Sequence, residues 1–406
     1  MKPRSTSNPA PRLRMALVAT SLRLGGAEKQ FVYMAQALST TGIDVQFFYV
    51  GAGGHYEPVM RGIGLPFHQI YSPGSPLVRL ARVIKALRKL RPHIVLVSQF
   101  SDLTYGGIAG RLCHALVLGA VRSDGFYELD SHGRCSRWML RLCHGVIANS
   151  HRAKENLALL RVNSPPIEVL SNVIDLDDFD ARAKLSVTAP FGPKRIVAAA
   201  VGRLHPSKRF DRFLHALEIA RRIHPSIAGL IVGSDHGAKA DLEQQANALG
   251  LRPEHLIISG ESHQIPSLLT QAQMLVLCSE CEGFPNVILE AMAARLPVVT
   301  TPIGDAGLVV QEGKTGCVVP AENPKVIAEC ILRLAQSPEL RRQFGEAGRQ
   351  RVEREYRCEL LPSRLLSLCH QFAIQERNLP LRRQILQHQP KDRPVECLVA
   401  VPHGPE

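Results

Sequence analysis

The chain has 406 residues, too many for one typical hydrophobic core, so two domains are expected. Its 45% hydrophobic content is ordinary for a soluble protein, and no apolar run reaches the length of a membrane-spanning helix. The net charge of +13 is uneven: residues 1–185 hold 23 Lys and Arg against 13 Asp and Glu, a net +10. This suits an anionic partner, but without a recognition motif or basic–aromatic interleaving nucleic acid is disfavoured.

Lys2, Arg4, Arg12 and Arg14 precede an apolar run at 15–22, superficially like a secretion signal. The run is short, Arg23 ends it, and a Gly-rich loop and a helix follow, as after a first Rossmann strand. Ten scattered cysteines without such a signal suit a reduced, cytoplasmic setting. Cys278 and Cys281 form a C-x-x-C, but no second pair completes a zinc site and the context is not thioredoxin-like, so no metal is expected.

Residues 1–13 read as a mobile, polar tail. A strand at 14–20 leads through Gly25 and Gly26 into a helix at 27–39, with Phe31, Ala35 and Leu38 on one face. The loop places free amides at a helix start beside Glu28. Ligand approach and a turn needed only for its geometry both explain the glycines. Strands follow at 44–50 and 66–70. The helix at 76–90 lines up Leu80, Val83, Ile84 and Leu87 on one face and Arg79, Arg82, Lys85, Arg88 and Lys89 on the other. That basic face is either solvated or docks on anionic lipid. A second basic patch, Arg134, Arg137 and Arg141, surrounds Trp138 and Met139. Strands at 93–97, 116–121 and 145–149 continue the pattern, the middle one ending in Arg122-Ser123-Asp124.

Asp175-Leu176-Asp177 reads as a turn into a linker at 181–194, which separates an N-terminal domain, 14–180, from a C-terminal one, 195–357. The second half repeats the βαβ pattern, with strands at 195–201, 228–233, 256–260, 274–277, 297–301 and 316–320. That suits a six-stranded doubly wound sheet. After its first strand come Gly202, Arg203 and Lys208, two cations able to neutralise a diphosphate. Gly233 ends the second. No G-x-G-x-x-G with a following acid is present, which disfavours a nicotinamide cofactor. Helices are expected at 324–336, 338–354 and 358–376, and disorder at 377–406.

The most informative stretch is 274–300, a β–loop–α–β unit whose polar residues gather at the end of its first strand. Pro285 suits a first helical position, and the amides after it form an anion site. Glu282 in the loop and Glu290 one turn into the helix would repel a phosphate but accept hydrogen bonds from sugar or ribose hydroxyls. The string EGFPNVILEAMA resembles the Glu-x7-Glu signature of retaining glycosyltransferases of the GT-B fold, most of all family four, which includes bacterial lipopolysaccharide and capsule enzymes.

The resemblance implies two Rossmann-like domains facing across a cleft, with the helix at 358–376 crossing back to the N-terminal one. It implies transfer of a sugar from a nucleotide-diphosphate sugar to a glycan or lipid-linked glycan, with no cofactor. Arg203 and Lys208 would stabilise the leaving diphosphate. Glu282 would hold the donor sugar and Glu290 the ribose, beside Gly283, Phe284, Pro285, Asn286, Gly202 and Gly233. Gly25, Gly26 and Glu28 would match the family's Gly-rich loop. Many members carry a His where Arg122 stands, so Arg122 and Asp124 are only candidate acceptor-side residues. The basic N-terminal half suggests peripheral contact with the inner face of the cell membrane. A sugar-nucleotide epimerase and a non-catalytic carbohydrate-binding homologue remain open as alternatives.

Overall fold

The computed structural model describes residues 12–159, 165–320 and 323–389. Apolar runs rich in Val, Ile and Ala form two fully parallel sheets, as expected of strands buried on both faces. The first contains β1 (Arg14–Ala19), β2 (Asp44–Tyr49), β3 (Phe67–Gln69), β4 (Ile94–Val97), β5 (Leu116–Val121), β6 (Gly145–Ala148) and β7 (Ile167–Val169), in the order β3-β2-β1-β4-β5-β6-β7. The second contains β8 (Ile196–Val201), β9 (Ile227–Val232), β10 (Leu256–Ser259), β11 (Met274–Leu277), β12 (Val298–Thr300) and β13 (Gly316–Val318), in the order β10-β9-β8-β11-β12-β13. The order reverses between β1 and β4 in one sheet and between β8 and β11 in the other. Crevices at the carboxyl ends of such strand pairs are where doubly wound sheets bind ligands.

Helices cover both faces of each sheet. In the first sheet, one face is packed by Phe31 and Leu38 of the helix Gly26–Ser39 and by Leu365, Cys369 and Phe372 of the helix Leu361–Gln375. Val83 and Leu87 of the helix Pro76–Leu90 cover the other, with Met139 and Leu140 of the helix Arg134–Arg141. The helix Leu361–Gln375 follows the second sheet in sequence but buries its apolar side in the first. A Cβ on Gly145 of β6 would collide with the Phe372 ring, so the glycine admits that ring against the strand.

Several expectations need correction. β7 is a seventh strand, too short for a periodic signal. Asp175 opens a helix, Leu176–Ala183, rather than a turn: its carboxylate accepts from the Asp178 amide at 3.0 Å, while Leu176 and Phe179 bury into the second core. The start of the expected linker is therefore helical. The segment 377–406 is not wholly irregular, because Leu379–His388 is a helix that buries Leu381 and Ile385 in the first core, with Asn378 as its cap. Residues 390–406, and residues 1–11 of the N-terminal tail, lie outside the described residues.

The two halves are joined by polar contacts. Asp305, 2% exposed in the second half, accepts from the backbone amides of His151 at 3.0 Å and Arg152 at 3.3 Å. It thus caps the helix His151–Leu159 of the first half. The His151 ring adds a 3.1 Å contact to the same carboxylate. Gln30 reaches Asn286 of the second half at 3.4 Å, and within the first half it exchanges hydrogen bonds with Val173, donating to its carbonyl at 2.7 Å and accepting from its amide at 2.9 Å. Asn172 donates to Asn286 at 2.8 Å.

Phe372→Ala should cost about 3–5 kcal/mol and Gly145→Ala about 1–3 kcal/mol, read from the shift of chemical denaturation midpoints. The hydrogen bond to Asp305 raises the His151 pKa above 6.5 against the opposing effect of burial. Its stabilising share is therefore complete below 6.5 and fades as pH climbs through the raised value. The melting temperature of His151→Gln should trail the parent's by more at about pH 6 than at about pH 8.5; an equal gap at both would remove this ion pair from the account.

Candidate active site

The loops of the two reversal points face each other, with Gly26 after β1 against Asn286 after β11. In the second sheet, β8 hands over Gly202–Lys208 and β11 hands over Cys278–Pro285, so Arg203, Lys208, Glu282 and Glu290 come from adjacent strand ends. Lys208 Nζ pairs with Glu282 Oε1, and Ser279 Oγ donates to that same oxygen at 2.7 Å. Both charged side chains are mostly buried, at 17% and 14% exposure, so their pairing is less screened than a surface ion pair. Arg203 stands exposed earlier in the β8 loop.

Pro285 is the residue before the helix Asn286–Ala293 rather than its first residue, because its ψ of 98° is still extended. The amides of the first turn nevertheless open toward the cleft end of the unit, as at any helix start. Glu290 accepts from Lys29 Nζ at 2.7 Å, across the interface between halves. Burial pulls the Lys29 ammonium pKa down, but the adjacent Glu290 carboxylate outweighs it and leaves the lysine above its ordinary value. Nothing in the local pattern around Lys29 announces this role.

The Gly25-Gly26 loop faces the same helix start. A Cβ on Gly26 would lie 2.6 Å from Asn286 Nδ2, so a larger residue would displace that side-chain amide. Glu28 accepts from Ser21 Oγ and from Gln99 Nε2, each at 2.9 Å, tying the ends of β1 and β4 together. Beneath them the buried Asp102 accepts from Thr20, Ser98 and Gln99, sealing the crevice floor.

On the β5 side, Glu128 accepts from the amides of Arg122 at 2.8 Å and Ser123 at 2.7 Å, and from the Ser123 hydroxyl. This clamp was missed in the sequence, although an acid in the first turn of a helix was a signal for it. Burial lowers the Arg122 pKa to about 10, with the Glu128 charge opposing. Arg122 Nη2 is out of reach of solvent and has no hydrogen-bond partner among the described residues. Asp124 accepts from the Tyr127 amide at 3.0 Å and from Cys281 Sγ at 3.2 Å, the latter across the cleft. A Cβ on Gly283 would collide with the Ser123 carbonyl, again across the cleft.

Three residues expected at the donor have structural roles as well. Phe284 is 6% exposed, its ring 5.9 Å from that of Tyr356, so its side chain supports the loop from within the core. Asn286 spends its amide oxygen on Asn172. Gly233 is packed so tightly against the Gly202 carbonyl that a Cβ has no room.

Comparison with known proteins follows this architecture. A model of glycosyltransferase family 4 matches residues 24–178, and a model of glycosyl transferases group 1 matches residues 182–351. Alpha-D-kanosaminyltransferase of Streptomyces kanamyceticus is 31% identical over 197 residues, covering 48% of this chain and 50% of that protein. The capsular polysaccharide biosynthesis glycosyltransferase CapM of Staphylococcus aureus is 30% identical over 176 residues, covering 43% and 46%. The chain thus spans about half the length of these curated relatives. The crystal structure of Anabaena HepE in complex with UDP-glucose superposes with a TM-score of 0.72 at 18% identity, covering 93% of this chain and 99% of that one. At that identity the likeness establishes the fold, which is GT-B. With the two family models matched in succession along the chain, this protein belongs to the family four glycosyltransferases, glycosyl transferases group 1.

Proposed function

We propose that the protein transfers a sugar from a nucleotide-diphosphate sugar to an acceptor hydroxyl, retaining the anomeric configuration. The observation that carries this reading is the convergence of Lys208, Glu282 and Glu290 at one strand reversal, opposite the Gly25-Gly26 loop. The diphosphate would take Lys208 from Glu282, with Arg203 and the amides after Pro285 completing its neutralisation. Released from Lys208, Glu282 would accept from donor sugar hydroxyls, and Glu290 from the ribose. HepE was crystallised with UDP-glucose, which makes a uridine diphosphate sugar the first donor to try.

In the reaction the bond between the anomeric carbon and the leaving phosphate oxygen breaks, while the acceptor oxygen bonds to that carbon on the same face. The acceptor proton passes to the leaving phosphate, so no side-chain nucleophile is required. Charge grows on the diphosphate, and preorganised cations stabilise it there more than in the bound donor. The contacts between halves, Lys29 with Glu290 and Asp124 with Cys281, lie where closure excludes water that would hydrolyse the donor. Arg122 and Asp124 line the acceptor side. The acceptor is a glycan or lipid-linked glycan of cell-surface polysaccharide synthesis, met at the inner face of the membrane. No helix among the described residues is long and apolar enough to cross one.

Lys208→Ala should lower kcat by about 10²–10³-fold, the range for loss of one charge-stabilising group. Glu290→Gln should act mainly by raising the donor KM. Release of nucleoside diphosphate from candidate donors, with and without acceptor, reads both. Wild-type donor turnover in Lys208→Ala, or full consumption of donor without any acceptor, would sink the proposal. Gly283→Ala, which wedges the cleft at Ser123, should depress turnover and lower the melting temperature as well, since the clash is with backbone.

A further inference from the structure

Three helices lie side by side on the outer face of the first sheet: Pro76–Leu90, Gly106–Leu112 and Arg134–Arg141. The first two pack directly on each other. The third is joined to the second by Arg111, whose guanidinium donates to the carbonyls of Leu142 at 2.8 Å, Arg141 at 3.1 Å and Cys143 at 3.1 Å. None of the three helices contains an Asp or Glu. Arg82, Lys85, Arg88, Lys89, Arg111, Arg137 and Arg141 are all exposed on them. The bonds holding Arg111 give this layer a fixed geometry.

Apolar side chains are exposed in the same layer. Leu77 is 76% exposed and Trp138 49%, and Val78 is also open to solvent. The short helix Phe126–His132, which leads from the β5 loop to the third helix, adds Phe126 and the 68% exposed Tyr127. Their placement is ordered. Helices that connect parallel strands begin at the carboxyl ends of those strands, so Leu77, Val78, Phe126 and Tyr127 sit at the cleft edge of the layer. Arg88, Lys89 and Arg111 end their helices at the far edge. A solvated helix face explains the cations but not this apolar rim, since burying nothing wastes its hydrophobic area.

We infer that this three-helix face docks on an anionic lipid bilayer, with the apolar rim entering the headgroup region and the cleft edge tilted toward the lipid. Charge and amphipathy name the partner: the seven exposed cations of three helices without acids outnumber the one exposed acid beside them, Asp130, and meet negative headgroups, while Trp and Tyr favour the membrane–water interface. Docked this way, Asp124, two residues before Phe126, sits next to the bilayer, where a lipid-linked acceptor would present its glycan. The inference deepens the location given above but does not rest on the donor assignment, because docking without transfer would leave it standing.

The chain has a single tryptophan, Trp138, so intrinsic fluorescence reports this face alone. Full-length protein is mixed with vesicles of phosphatidylcholine, with or without phosphatidylglycerol, and followed by sedimentation and Trp emission. Expected are co-sedimentation, a blue shift and quenching by brominated acyl chains with the anionic vesicles only, all lost at about 1 M salt, where screening acts within ~3 Å. Arg82→Glu, Lys85→Glu and Arg88→Glu together should weaken partitioning by roughly a hundredfold or more, at about fivefold per cation lost. Their melting temperature confirms folding, and Lys314→Glu with Lys325→Glu on the other half should change nothing. Unaltered Trp emission with anionic vesicles overturns the inference. So does undiminished sedimentation of the folded triple variant, an equal loss in the Lys314/Lys325 control, or retention on polyanionic nucleic acid without vesicle binding.

Discussion

Glu290 and Lys29 meet at 2.7 Å, and much of the cleft is arranged around that contact. A carboxylate this little exposed is costly unless a cation or hydrogen-bond donors compensate it. Glu290 finds its cation in the other half of the molecule, and Glu282 finds Lys208 on the neighbouring strand end. The two acids of one β–loop–α unit therefore stand charged and neutralised by partners of different origin. Such pairs are exchangeable: a polyanion can take the lysine, and hydroxyl groups can satisfy the carboxylate. An apolar lining would offer neither.

The second condition is close approach of backbones. Gly283 against the Ser123 carbonyl leaves no room for a methyl group, Gly26 against the Asn286 side chain leaves little, and Gly233 against the Gly202 carbonyl leaves none. The first two lie between halves and set how near the two sheets' edges can come. Asp305 works to the same end by capping a helix that belongs to the other half. The helix Leu361–Gln375 adds an apolar tie, since it follows the second sheet in sequence but is buried against the first.

The two faces of the first sheet thus differ in purpose. One is covered by the returning helices and is closed. The other carries three helices without acids, and exposed apolar side chains gather at their cleft edge. The loop after β5 links that layer to the cleft, through Glu128, Arg122 and Asp124.

Much of this was legible in the residues themselves. Period-two and apolar runs placed twelve of the thirteen strands, and the succession of βαβ units implied parallel sheets whose loops share an edge. Pattern placed Lys208 and Glu282 in loops after strands of one sheet, the family resemblance joined them in one site, and the strand order made them neighbours. β7 escaped because three half-buried residues carry no period, and the helix at Leu379–His388 because its apolar contacts are few and its surroundings polar. What the chain could not announce were partners set by packing between halves: Lys29 lies 261 residues from Glu290, and Asp305 lies 154 from His151. Local sequence decides which face of an element is apolar and where a helix can begin, because those depend on neighbours three or four positions away. Only the tertiary structure decided which charge answers which, because that depends on how closely two sheets are brought together by glycines and a crossing helix.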